Sequence, residues 1–191
     1  MREKERDMEL ILASGSPRRR ELLSLYTTDF TVCVSDFDER IVTADTPAHL
    51  VEQLARGKCL AVSAQHPGAV VIGCDTVVDV NGEVFGKPHS EEDAKRMLRA
   101  LSGATHEVHT GVCISDGART ESFVDSCRVT FFPLGEEEID FYASTAEPYD
   151  KAGAYAIQGR AALWLDRIEG DYYTIMGLPV SRTVQLLAHF V

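Results

Sequence analysis

The run Val70-Val71-Ile72-Gly73-Cys74-Asp75-Thr76-Val77-Val78-Asp79-Val80 constrains this chain more than any other feature. Its β-branched residues suit a strand better than a helix, and its apolar character suits the middle of a core. Asn81-Gly82 follows at once, then Glu83-Val84-Phe85. An Asn-Gly pair between two such runs predicts a two-residue type I′ hairpin. Asp75 and Thr76 interrupt the apolar pattern, and an ionised carboxylate in a core strand is costly unless a metal or a cation meets it. Counting outward from the turn puts Val80 opposite Glu83 and Thr76 opposite Lys87. An ideal pleat then leaves Asp75 on the face away from Lys87, and a bulge at Gly86 would re-aim it. A structural Asp–Lys pair fits the same residues.

Strand-like and helix-like segments alternate around this hairpin. Glu9 to Ala13 reads as a short buried strand, and Pro17 to Tyr26 as a helix with Ser16 at its N-cap and proline at its first position. Phe30 to Val34 reads as a strand. Thr46-Pro47 opens a helix in which Leu50, Val51, Leu54, Cys59 and Val62 recur at roughly helical spacing. Ser90 caps a helix over Glu91 to Leu101, with Asp93 completing a variant capping box. Strands are expected over Glu107 to Ser115 and Glu121 to Phe132, then a helix begun by Gly135 with glutamates in its first turn. Strand-like segments follow the Gly-rich stretch Tyr149 to Gly159, and Leu178 to Phe190 closes as a helix. The pattern is α/β with mixed sheet pairing. A length of 191 residues fits one domain over residues 9–191, preceded by a charged N-terminal extension over 1–8.

A net charge of −11 argues against nucleic acid or an anionic membrane as partner. An anionic ligand would then need basic residues gathered in one cleft. The five cysteines are scattered without metal-ligand spacing, and no run approaches the roughly 20 apolar residues of a membrane span, so the expected location is the cytoplasm with free thiols.

The one basic cluster is Arg18-Arg19-Arg20, directly after Ser14-Gly15-Ser16-Pro17. A Ser/Gly turn between a strand and a capped helix points N–H groups at one spot with the helix dipole behind them. Arginines at a helix start oppose that dipole unless an anion is bound, so the arrangement asks for a phosphate. Successive helical residues lie about 100° apart, so the three cannot all face one ligand. Glu39, in the acidic loop after the second strand, suits a metal, but a solvated turn is the favoured local reading. Lys58 reads locally as a surface residue of its helix. His106 and His109 face opposite sides of a strand and make a poor metal pair.

Taken in order, LILASGSPRRRELL, LARGKCLAV, GCDTVVDVNGEVFGKP, THEVHTGV and YDKAGAYAIQGRAALWLDRIEGDYYTIMGLPV resemble the Maf family of nucleotide pyrophosphatases, over about Leu10 to Leu187. The resemblance implies an elongated two-lobed mixed-sheet α/β fold similar to the inosine triphosphate pyrophosphatases, with the substrate cleft between lobes. It implies hydrolysis of a nucleoside triphosphate to the monophosphate and pyrophosphate, with a divalent metal, Mg²⁺ or Mn²⁺, and a homodimer. Its functional positions fall on Arg18 and Arg19 in the phosphate loop with Ser14, and on Glu39, Lys58, Asp75, Thr76, Lys87 and Gln158. Asp75 matches the proton acceptor. Asp75 and Glu39 are hard oxygen donors suited to the metal; whether Asp75 is base, ligand or both stays open. The segment around Gln158, with Arg18 and Thr76, looks like the subgroup acting on dTTP and UTP, since a Gln amide can match the imide edge of uracil or thymine. A subgroup acting on 7-methyl-GTP and a nucleotide-sensing module of cell division are the alternatives. Asp171 departs from the serine common in the subgroup.

Overall fold

The computed structural model describes residues 8–190, so the expected 1–8 extension lies, Met8 apart, outside the described residues. Among the described residues seven strands form one mixed sheet in the order β2-β1-β3-β5-β6-β7, with β4 also paired to β3. β1 (Leu10–Leu12) runs parallel to β2 (Thr31–Val32) and to β3 (Val70–Val80). All other pairings, with β4 (Glu83–Phe85), β5 (Thr105–Ser115), β6 (Thr120–Phe131) and β7 (Leu165–Glu169), are antiparallel.

The hairpin forms as its sequence demands. Asn81 and Gly82 both take positive φ, 54° and 89°, and Val80 pairs with Glu83. The expected register holds only to Val78–Phe85, where the ladder ends without a bulge. Lys87 therefore lies beyond the hairpin instead of opposite Thr76.

β5 pairs with β3 along almost its whole length, from Val71 to Asp79. The opposite edge is shared, with β1 reaching Ile72 and β4 starting at Val78. Residues 73–77 thus have no ladder partner on that edge among the described residues. This gap, with Asp75 and Thr76 at its centre, is what the fold leaves open for a ligand.

The helices follow their caps. The Ser16 hydroxyl accepts from the Arg19 N–H at the start of α1 (Pro17–Leu23), and the Thr46 hydroxyl from His49 N–H at the start of α2 (Pro47–Ser63). Ser90 accepts from Asp93 N–H to start α3 (Glu91–Leu101), while the Asp93 carboxylate accepts from His89 N–H, one residue earlier than a standard capping box. At the start of α4 (Glu136–Ala143), Glu138 accepts from Gly135 N–H. Several elements are shorter than expected or different in kind: α1 ends at Leu23, short of the expected Tyr26. Only Thr31–Val32 of the second strand pairs, the closing helix α6 (Val180–Leu187) begins after Pro179, and short 3-10 turns occupy 147–154 and 160–164, where β7 is the one strand to follow. A short helix, α5 (Tyr172–Met176), has Asp171 as its N-cap, accepting from Tyr173 N–H at 3.0 Å. The unusual acid at 171 thus has a structural use.

α2 covers one face of the sheet and lies very close to it. A Cβ on Gly73 would sit 2.5 Å from the Ala55 carbonyl oxygen, and one on Gly111 2.4 Å from that of Val51. The other face carries the larger core, in which Phe131, Tyr142, Tyr155 and Trp164 meet edge to face. All five cysteines are free, and no helix among the described residues is long and apolar enough to cross a membrane.

Candidate active site

The gap in the β3 edge opens into a cleft of about 970 Å³, the upper end of the usual range for ligand sites and far more than one phosphate needs. Every residue that the family resemblance assigned lines it: Ser14, Arg18, Arg19, Glu39, Lys58, Asp75, Thr76, Lys87 and Gln158. Arg20 does not, in keeping with a helical spacing by which the three arginines cannot all face one ligand.

Asp75 sits on the floor, only 8% exposed. Its Oδ1 accepts a 2.5 Å hydrogen bond from the Lys58 ammonium, and Oδ2 has no hydrogen-bond partner among the described residues. The close approach of α2 at Gly73 and Gly111 is what brings Lys58 over β3. Lys58 also pairs with Glu39 at 3.0 Å and is itself 14% exposed, so the local reading of a surface lysine gives way to a half-buried bridge between two carboxylates. Glu39 begins a 3-10 turn capped by Asp38. That loop is pressed onto α2 by Phe37, whose ring occupies the place a Gly57 side chain would need. Burial pushes the neighbouring Cys74 thiol up to about 11, so it stays neutral packing and is no nucleophile.

Arg19 is held by three anchors. Its Nε donates to the Gly177 carbonyl at 2.8 Å, one terminal nitrogen to Ser14 Oγ at 3.1 Å, and the other to Thr76 Oγ1 at 3.0 Å. A guanidinium has five donors, so two N–H groups remain. Thr76 continues the chain to Thr110 at 2.9 Å, and Thr110 donates to the Thr174 carbonyl at 2.8 Å. Arg18 reaches across to Asp150 at 3.3 Å.

Lys151, also in the cleft, donates to Asp150 and to the Glu147 carbonyl. Burial pulls the Asp150 carboxyl up, but Lys151 and Arg18 outweigh it and hold it below its usual range. Asp150 and Lys151 escaped the sequence reading because nothing in the local pattern separates them from solvated turn residues; the YDKAG stretch was their only signal. Lys87 is exposed and makes no ion pair among the described residues.

Gln158 is exposed on the irregular stretch before Arg160. Glu147 ties that stretch down, accepting from Tyr142 hydroxyl at 2.9 Å and Arg160 N–H at 3.0 Å, while Ala156 N–H donates to the Tyr142 hydroxyl at 3.1 Å. Beneath it the His106 Nε2 lies 2.8 Å from the Tyr155 hydroxyl. Burial lowers the His106 pKa to about 4.

The cleft thus gathers Arg18, Arg19, Lys58, Lys87 and Lys151 in a chain of net charge −11. Fold and site together define an α/β protein with a cationic cleft built around a buried carboxylate, suited to a polyanion. The family described as "Maf-like protein" matches residues 9–190, and the chain belongs to it. It is 52% identical to a dTTP/UTP pyrophosphatase of Symbiobacterium thermophilum, covering 95% of this chain and 94% of that one. A protein of the same name from Bacillus velezensis is 49% identical over 95% of this chain and 96% of its own. In structure the chain is similar to the Ham1 protein of Staphylococcus aureus, with a TM-score of 0.56 at 16% identity, covering 95% of this chain and 98% of that one. That likeness shows the fold alone, and it is the mixed-sheet α/β fold expected.

Proposed function

We propose that this protein hydrolyses dTTP and UTP between the α- and β-phosphates, releasing the nucleoside monophosphate and pyrophosphate. The observation that carries the reading is Asp75, buried on the cleft floor with one oxygen held by Lys58 and the other without a partner among the described residues. A carboxylate fixed in this way orients a water and accepts its proton as it attacks phosphorus. The relatives' shared name, dTTP/UTP pyrophosphatase, supports the substrate class.

The triphosphate lies along the basic residues. Arg19, pinned by Ser14, Thr76 and the Gly177 carbonyl, presents its remaining N–H groups in a fixed direction. Arg18 exchanges Asp150 for phosphate, and Lys87, with no ion-pair partner among the described residues, turns onto the leaving pyrophosphate. Gln158 reads the base edge with one donor and one acceptor.

The donor set fits a divalent ion. Glu39 and Asp75 converge on one point, where the Lys58 ammonium now supplies the positive charge. Bound there, Mg²⁺ or Mn²⁺ would neutralise charge building on the phosphates. Lys58 then keeps the Asp75 carboxylate correctly turned. The five free thiols support a reducing compartment such as the cytoplasm, and the family resemblance supports a homodimer acting as one domain per chain.

The test is a panel of UTP, dTTP, CTP and 7-methyl-GTP with Mg²⁺, read as pyrophosphate release. Turnover concentrated on UTP and dTTP is expected. Tight UTP binding without turnover of any nucleotide would instead make the protein a nucleotide sensor.

A further inference from the structure

Asp79, Glu107 and His109 bring one ligand atom each to within 4.8 Å of one another. None of the three lines the cleft. Asp79 lies four residues along β3 from Asp75, about 13 Å at 3.3 Å per residue. The pairing of β3 with β5 makes the cluster, because Asp79 faces Glu107 and Val77 faces His109.

Two like charges directly opposite on antiparallel strands repel, so this pair needs a cation. Arg128, the neighbour of Glu107 on β6, is engaged instead with Glu169 at 3.1 Å. The remaining candidate is His109, which is 5% exposed. Its Nδ1 is 2.7 Å from the Ser126 hydroxyl, and its Nε2 points between the carboxylates, 3.6 Å from Asp79 Oδ2 and 3.5 Å from Glu107 Oε2. Nε2 makes no hydrogen bond among the described residues. An imidazolium caught by two carboxylates would draw at least one of them to about 2.8 Å.

The observed separations have another meaning. Ligands about 2.0–2.2 Å from a tetrahedral ion lie about 3.4 Å apart, close to both Nε2–oxygen distances. Ser126 takes the role that outer-shell groups play at such sites: with Nδ1–H donated to its hydroxyl, the Nε2 lone pair is free for a metal. The Asp79 carboxylate is likewise turned by its other oxygen, which accepts from Gly82 N–H at 2.6 Å.

We propose that Asp79, Glu107 and His109 form a binding site for a first-row divalent transition metal, Zn²⁺ foremost, separate from the cleft and clamping β3 to β5 beside the hairpin. One imidazole and two carboxylates favour Zn²⁺ or Co²⁺ over Mg²⁺, and the fourth position is left to water.

The test uses full-length Asp75→Asn protein stripped of metal, so that the cleft's own carboxylate pair is disabled. Titration with Co²⁺, followed by visible d–d absorption, should show one equivalent in tetrahedral geometry, displaced by Zn²⁺ and not by Mg²⁺. Adding Glu107→Gln, an exposed position tolerant of change, or His109→Gln should abolish that equivalent. Ser126→Ala should weaken it about 10- to 100-fold. Absence of Co²⁺ binding in the Asp75→Asn protein, or binding that survives both added substitutions, would overturn the proposal.

Discussion

The floor and near wall of the cleft hang on β3, α1 and α2, whereas the far wall, residues 147–159, contains nothing more regular than 3-10 turns. On the near side, position follows from backbone ladders, helix caps and the close approach of α2 to the sheet. On the far side it follows from a few polar anchors, chiefly Glu147, Tyr142 and the His106–Tyr155 contact. Reacting groups need to be held within fractions of an ångström, and Asp75, Lys58 and Arg19 sit on the rigid side. Gln158 sits on the side that can adjust to a base. This fold separates chemistry from recognition by how each wall is stiffened.

The largest effect that could break this division is at the floor. Asp75→Asn should lower kcat for UTP about 10²- to 10⁴-fold, the usual worth of a general base, while UTP still binds by calorimetry. Near-normal turnover by that folded variant would remove Asp75 from the mechanism.

Next is the pH response of the far wall. His106 is kept neutral in the fold, with its pKa depressed from 6.5 to about 4. Its contribution is whole above pH 6.5 and is lost as pH falls toward 4, because the unfolded chain takes up a proton that the fold refuses. Stability measured by urea unfolding should drop by about 2 kcal/mol more in the wild type than in His106→Gln between pH 7.5 and pH 5. Equal losses in both would show that His106 does not couple the wall to pH.

A smaller effect belongs to the near side. Gly73→Ala pushes a methyl against the Ala55 carbonyl, at about 1–3 kcal/mol of stability. It also lifts Lys58 from Asp75, so kcat should fall with KM nearly unchanged. Smallest is Tyr142→Phe, which removes one hydroxyl shared by Glu147 and Ala156. About 1 kcal/mol follows, expected as a several-fold rise in KM for UTP with kcat within a factor of about two. A fall in kcat instead would mean that the far wall takes part in the chemistry.

The same division runs through what could be read from the chain. The hairpin, the caps at Ser16, Thr46 and Ser90, and the helical faces were legible because each depends on residues adjacent in sequence. Asp75 stood out because a carboxylate contradicts its surroundings. Lys58 read as surface because its partners, Glu39 and Asp75, are distant along the chain, and only Gly57, Gly73 and Gly111 show that α2 could come close enough. The register to Lys87 failed because a hairpin count cannot know where a ladder stops. Asp150 and Lys151, and the meeting of His109 with Asp79, depend on non-local pairings that no local period encodes.

Cleavage at the α–β bond of a pyrimidine nucleoside triphosphate by water attack at this cleft can be followed by ³¹P NMR of UTP turnover with Mg²⁺. UMP and pyrophosphate should appear as the first products, lost together in Asp75→Asn. UDP and inorganic phosphate, or UMP formed equally well by Asp75→Asn, would contradict it.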